Sequence, residues 1–389
     1  MYVTRSLSSY RNSLSEPPPE GPNSGYLVVL DEESETTTCF GLCKDKSMKE
    51  LPFPQNKDLI IWYSRGAGHE RVSYSNDVLF VPVINQPLSS NRYYVIFRQG
   101  NHKGEACVNS KEEDIKTHSK YHKYVEDVNP KPLDPCDISQ QVQIIQESRH
   151  VFTAKSISQD GIPPFFLRQS WEGFMRKTRN YQLDEAPGVN TSLRTRLPDF
   201  NFSLQNEISE GVVVGKWYCP FMFVKEGIMD LKDQIKLSTF YEMTLEQRWL
   251  EIFRQENDNV ENGRNLVRVD VVVQREEAFV DGKEAVWDER KLGNGVIWFR
   301  SCSGVGEDRV GLSELVVERM KWEEERVGWK NGDGKKVRVE RTENFEGKGN
   351  WRKFGCYVLV ESFVLKRMDG TIVLVYDFKH THQIRCQWE

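Results

Sequence analysis

At 389 residues the chain is longer than one core usually fills, because cores stop growing at roughly 250–300 residues, so two domains are expected. Hydrophobic residues make up 38%, charged residues 29%, and the net charge is -5; this excludes disordered and collagen-like classes and leaves no overall field to draw nucleic acid. The longest apolar runs are about eight residues, against roughly 20 for a membrane helix, so no transmembrane segment is expected.

The first residues, Met1-Tyr-Val-Thr-Arg5, lack a basic start followed by an apolar run, and no secretory signal is read there. The expected location is cytoplasmic or nuclear. The eight cysteines, at 39, 43, 107, 136, 219, 302, 356 and 386, are too dilute and irregular for a secreted disulfide framework, so reduced and mostly buried thiols are expected. On that reading the sequons at Asn190 and Asn201 are chance matches.

In chain order, residues 1–24 are polar around Pro17, Pro18 and Pro19 and predict an extended N-terminal arm. Residues 25–135 read as an all-β domain, with strands at 25–30, 37–42, 59–64, 78–83 and 92–98 between Pro, Gly and Asn clusters, as in a sandwich or open barrel. Pro130, Pro132 and Pro135 mark a domain boundary, followed by a mixed connecting region at 136–210.

From Gly211 the pattern is stronger. Val213, Trp217, Cys219, Phe221 and Phe223 alternate with Val212, Val214, Tyr218, Met222 and Val224, so both faces of this strand want cover. Pro220 lacks an amide donor and predicts a bulge or an edge. Thr244 and Gln247 have capping-box spacing ahead of Leu245, Trp249, Ile252 and Phe253, which predicts a helix at 244–253. Alternating Val267, Val269, Val271 and Val273 then lead to a turn at Asp281-Gly282. A strand at 295–302, a helix from Leu312 to about Arg326 and a hairpin turning at Asp369-Gly370 repeat the order. The expected fold class is therefore α+β. An N-terminal all-β domain precedes an antiparallel sheet built from two βαββ-like units, 211–290 and 295–389, with the helices on one face.

Chemical motifs are weak. The glycines of Ser303–Gly311 have the wrong spacing for a dinucleotide turn. Cys39 and Cys43 would lie about 13 Å apart if extended, His118 and His122 share a helical spacing without a third ligand, and His380 and His382 share a strand face. No catalytic residue, metal or cofactor is assigned. The one basic, aromatic stretch is 165–198, where Arg168, Arg176, Lys177, Arg179, Arg194 and Arg196 stand against Glu172, Asp184 and Glu185, beside Phe165, Phe166, Trp171, Phe174 and Tyr181. Guanidinium forks next to rings suit phosphate, anionic lipid or single-stranded nucleic acid.

Glu16–Tyr26, Thr38–Lys44, Leu51–Asn56, Asn85–Tyr94, Thr191–Phe200 and the Gly211 strand together resemble a land-plant family that carries a domain-of-unknown-function label. The resemblance implies no activity, cofactor or catalytic residue. The leading expectation is a non-enzymatic binding or adaptor protein with protein partners. The alternatives are an anion, phospholipid-surface or nucleic-acid binder through 165–198, nucleic acid being disfavoured by the charge, and an enzyme with a dispersed site.

Overall fold

The structure is a computed structural model that describes residues 1–13, 17–35, 37–38, 43–66, 72–119, 122–176, 183–257, 265–287, 295–302, 308–330, 335–347 and 350–389. The chain is mainly β. It divides into two compact units, Met1–Ala186 with Tyr218–Phe240, and Pro187–Trp217 with Tyr241–Glu389.

The first unit is organised around a closed antiparallel barrel. Its strands, in order around the wall, are Gln141–Ser148, Val151–Ser156, Trp171–Arg176, Asp58–Arg65, Val72–Pro82 and Arg92–Phe97, and the last pairs back to the first. Period-two alternation explains the wall: Leu59, Ile61, Val78, Phe80, Tyr93, Val95, Val142, Ile144, Phe152 and Trp171 point inward and form one core. Phe80 and Trp171 stack at 5.9 Å, and Phe53 meets Phe80, Tyr93, Phe152 and Trp171, so rings fill the lumen. The proline-rich stretch 129–135 therefore interrupts one barrel and does not end a domain. Gln141–Gln143 pairs with Arg92–Tyr94 across it, and the Tyr94 hydroxyl donates to the Pro135 carbonyl.

The N-terminal residues differ from an extended arm. Tyr2–Ser6 pairs in parallel with Gly25–Val29, and a helix at Leu7–Asn12 follows, capped by the Ser6 hydroxyl, which accepts from the Ser9 amide. Leu7 and Tyr10 pack on Tyr26, Val28 and Leu88, and this local apolar cluster outweighs the polar composition of the segment.

In the second unit an antiparallel sheet runs in the order Arg309–Ser313, Val296–Ser301, Lys283–Val286, Glu276–Val280, Ile372–Trp388, Lys353–Arg367 and Phe240–Glu256. The helix expected at 244–253 is part of a strand, Phe240–Glu256. Tyr241, Met243, Leu245, Gln247 and Trp249 are all buried at period two, and the ladder with Lys353–Arg367 runs from Tyr241↔Arg367 to Glu256↔Lys353. That pairing overrides the capping-box spacing; the Thr244 hydroxyl donates to the Glu246 carboxylate instead of capping a helix. Two βαββ units are thus not what the chain builds.

Other expectations from the sequence appear with different partners. The alternating valines form Leu266–Gln274, which pairs with Lys336–Asn344 as a separate two-stranded ribbon. The Asp281-Gly282 turn, both residues at positive φ, joins Glu276–Val280 to Lys283–Val286. The helix Glu314–Glu325 is present, burying Val316, Val317 and Met320. The strand Val212–Pro220 ends at Pro220, where a 3-10 turn at Phe221–Phe223 begins; the missing amide is accommodated by terminating the strand.

Candidate functional site

The barrel carries a groove on its outer face. On Asp58–Arg65 the inward residues are Leu59 and Ile61, so Ile60 and Trp62 face away from the lumen. On Trp171–Arg176, Glu172, Phe174 and Arg176 do the same, and the register sets Glu172 against Trp62 and Phe174 against Ile60. The segment Lys46–Met48 borders this strand pair, held by amide donation from Met48 to the Gly173 carbonyl at 2.7 Å and from Met175 to the Lys46 carbonyl at 2.7 Å.

The result is an open groove of about 400 Å³ lined by Lys46, Ile60, Trp62, Glu172, Phe174, Met175 and Arg176, within the size range of ligand pockets. Trp62 is 50% exposed and meets Phe174 edge to face at 6.3 Å. A tryptophan left half in water on a strand face, braced by a second ring, is poised to stack on an apolar or planar group. Arg176 is oriented by an ion pair with Asp77. Burial and the nearby Asp58 push the Asp77 carboxyl above its ordinary value despite Arg176.

The second unit holds a buried charge cluster. Gln247 and Glu361 are ladder partners, His380 lies one step on, opposite Leu359, and the helices Thr191–Arg196 and Glu314–Glu325 set Arg194, Glu323 and Glu324 over this row. Arg194 donates from Nε to Glu361 Oε1 at 2.9 Å, from Nη2 to Glu361 Oε2 and to Glu324 Oε1 at 3.1 Å, and from Nη1 to the Glu323 carbonyl at 3.1 Å. Gln247 Nε2 donates to Glu361 Oε1 at 2.6 Å and to the Arg194 carbonyl at 3.1 Å. His380 Nε2 lies 2.8 Å from Glu324 and 3.3 Å from Glu361. Arg319, Arg326 and Arg194 surround Glu323.

These contacts set the protonation states. Burial disfavours the charge on Glu361, but hydrogen bonds from Arg194 and His380 hold its carboxyl far below the ordinary range. Burial and the Glu361 charge push Glu324 up to about 8. Burial opposes the His380 charge, yet both carboxylates raise it to about 9. His382, ring to ring with His380 at 5.4 Å, is pushed down by burial and by His380. Glu324, Glu361 and His380 are chemically able to bind a divalent cation and lie within 4.8 Å of one another. Arg194 already bonds both carboxylates, through Glu361 Oε1 and Oε2 and Glu324 Oε1, and the His380 ring takes Glu324 Oε2, so the donor set fits a hydrogen-bonded ion-pair network better than a metal.

Of the basic residues of 165–198, Arg168 and Arg176 belong to the first unit and Arg194 and Arg196 to the second. Arg168 is tied down by Asp127 at 3.0 Å and the Pro163 carbonyl at 3.0 Å. Arg176 borders the groove, Arg194 is buried in the second unit, and Arg196 is exposed on the same short helix. The guanidinium of Arg194 is thus engaged inside the protein and not offered to an external anion. Lys177, Arg179, Cys39 and most of Ser303–Gly311 lie outside the described residues. The groove escapes a sequence reading because Ile60 and Trp62 resemble core residues until the register is known. The cluster had a faint signal: Gln247, Glu361 and His380 are polar residues at inward positions of otherwise apolar strands.

Residues 20–120 match the family described as "Protein of unknown function (DUF1262)", in keeping with the domain-of-unknown-function label expected from the sequence. A search of curated proteins gives no match. Among solved structures the chain is similar to Cry35Ab1, at a TM-score of 0.50 and 12% identity, covering 86% of this chain and 90% of that one; at that identity the likeness is one of β-rich fold. Among the described residues no helix is long and apolar enough to cross a membrane.

Proposed function

We propose that the chain is a non-enzymatic binding protein whose contact surface is the Trp62 groove on the barrel. Its occupant is a segment of a partner protein presenting an aromatic or aliphatic side chain next to an acidic one. The supporting observation is the half-exposed Trp62 braced by Phe174 in a groove with an apolar floor. Tryptophan and arginine are the residues most often found to dominate binding energies at interfaces. Lys46 and Arg176 at the rim supply positive charge for the acidic neighbour, and Glu172 disfavours a purely anionic ligand. A phosphate or anionic lipid surface is the alternative occupant, read by the same two cations.

Selection of a displayed random-peptide library on the full chain tests this reading. Enriched peptides should share an apolar residue beside Asp or Glu. Trp62→Ala should weaken the best of them at least about tenfold, equivalent to about 1.4 kcal/mol, while lowering stability by about 0.5–1.5 kcal/mol, the worth of the ring pair lost with Phe174. Peptides that bind Trp62→Ala equally well would remove the groove from the account. Binding to vesicles of anionic lipid that survives Trp62→Ala but is lost on Lys46→Glu would favour the anionic alternative.

A further inference from the structure

Cys356 and Cys386 are direct partners on the long hairpin Lys353–Arg367 and Ile372–Trp388. Antiparallel partners place their Cβ atoms about 4.5–5.5 Å apart, while a disulfide needs about 3.5–4.5 Å, so bond formation asks only for a small local approach. The side chains share one apolar cluster, and the contact between the two thiols draws Cys356 below its ordinary value against the effect of burial while pushing Cys386 well above its own. The two thiols differ in access. Cys356 is fully buried with Val267, Val269, Trp351 and Phe354, whereas Cys386 is partly open.

We propose that Cys356 and Cys386 form a reversible dithiol–disulfide site, closed by exchange with a low-molecular-weight disulfide. The accessible Cys386 attacks one sulfur of the small disulfide as its proton passes to the neighbouring Cys356; that S–S bond breaks, and the leaving thiolate takes up a proton from water. Cys356 then attacks Cys386 Sγ in the mixed disulfide and expels the second small thiol. The protein loses two hydrogen atoms and two electrons, and the small disulfide becomes two thiols. Excess small thiol reverses both steps. Closure ties together the two strands that carry Glu361 and His380 and so stabilises the fold by restricting the unfolded chain.

The test equilibrates the full chain with mixtures of oxidised and reduced glutathione, quenches with acid and maps the alkylated peptides by mass spectrometry. The expected product is a peptide pair joined through Cys356 and Cys386, lighter by two hydrogens than the dithiol, with glutathione adducts at the exposed Cys136 and Cys302 and none at Cys356 or Cys386. Cys356→Ser should trap a glutathione adduct at Cys386, and Cys386→Ser should abolish the cross-link. The midpoint of thermal unfolding should rise on closure. Cys356 and Cys386 both remaining alkylatable under fully oxidising mixtures, a wild-type adduct persisting at Cys386, or a cross-link to another cysteine would overturn the proposal.

Discussion

Arg194→Ala is expected to lower the free energy of unfolding by about 3–5 kcal/mol, the cost of breaking a buried ion pair from one side. The side chain is 4% exposed and its partners Glu361 and Glu324 are 1% and 0% exposed, so solvent cannot replace the lost donors. Truncation leaves the Glu361 charge facing Glu324 with only His380 and Gln247 as donors. Arg194→Lys should recover only part of the loss, because an ammonium cannot reproduce the two-pronged contact with Glu361. Glu361→Gln should cost less in the Arg194→Ala background than in the wild type, since it then removes an orphaned charge. Denaturant unfolding of the four proteins of this cycle measures the coupling. A loss below about 1 kcal/mol for Arg194→Ala, the range of exposed ion pairs, would contradict this picture.

Stability should decline as pH rises from about 6.5 to about 9. His380 is raised from 6.5 to about 9 in the fold, so its contribution is complete below 6.5 and is lost as pH climbs through the folded value. Glu324, raised from 4.5 to about 8, acts in the same direction, its contribution fading above 4.5. The two share a proton across one hydrogen bond, and their effects are not summed. One pKa unit corresponds to about 1.4 kcal/mol, so the decline amounts to a few kcal/mol. Glu361 is shifted down, and its contribution is lost as pH falls below the ordinary carboxylate range. His382, also shifted down, favours the fold above 6.5 and opposes it as pH falls. The cluster is therefore most stabilising in mildly acidic solution. Thermal unfolding across pH 5–9 should show a steeper alkaline decline for the wild type than for Glu324→Gln. Parallel profiles would show that the cluster does not govern the pH response.

The barrel strands at 59–64, 78–83 and 92–98 were legible because their inward residues alternate cleanly between turn residues. The stretch 244–253 was not. Leu245, Trp249, Ile252 and Phe253 satisfy a helical stripe, while Met243, Leu245, Gln247 and Trp249 satisfy a strand, and only pairing with Lys353–Arg367 decides between them. Arg194 sits among basic and aromatic neighbours in sequence, yet its carboxylate partners Glu324 and Glu361 are far along the chain, so its burial could not be read locally. Trp62 and Phe174 meet because distant strands pair. Local pattern carries the elements; the site arises from registry between them.

Hydrogen exchange on the full chain, with and without the peptide best enriched on it, decides whether the Trp62 groove is the binding surface. Slowed exchange is expected only in the strands around Ile60–Trp62 and Glu172–Arg176 and in the bordering Lys46–Met48 segment, with no such protection in Trp62→Ala. Protection centred instead on residues 187–217 or 241–389, or protection at the barrel that Trp62→Ala leaves intact, would contradict it.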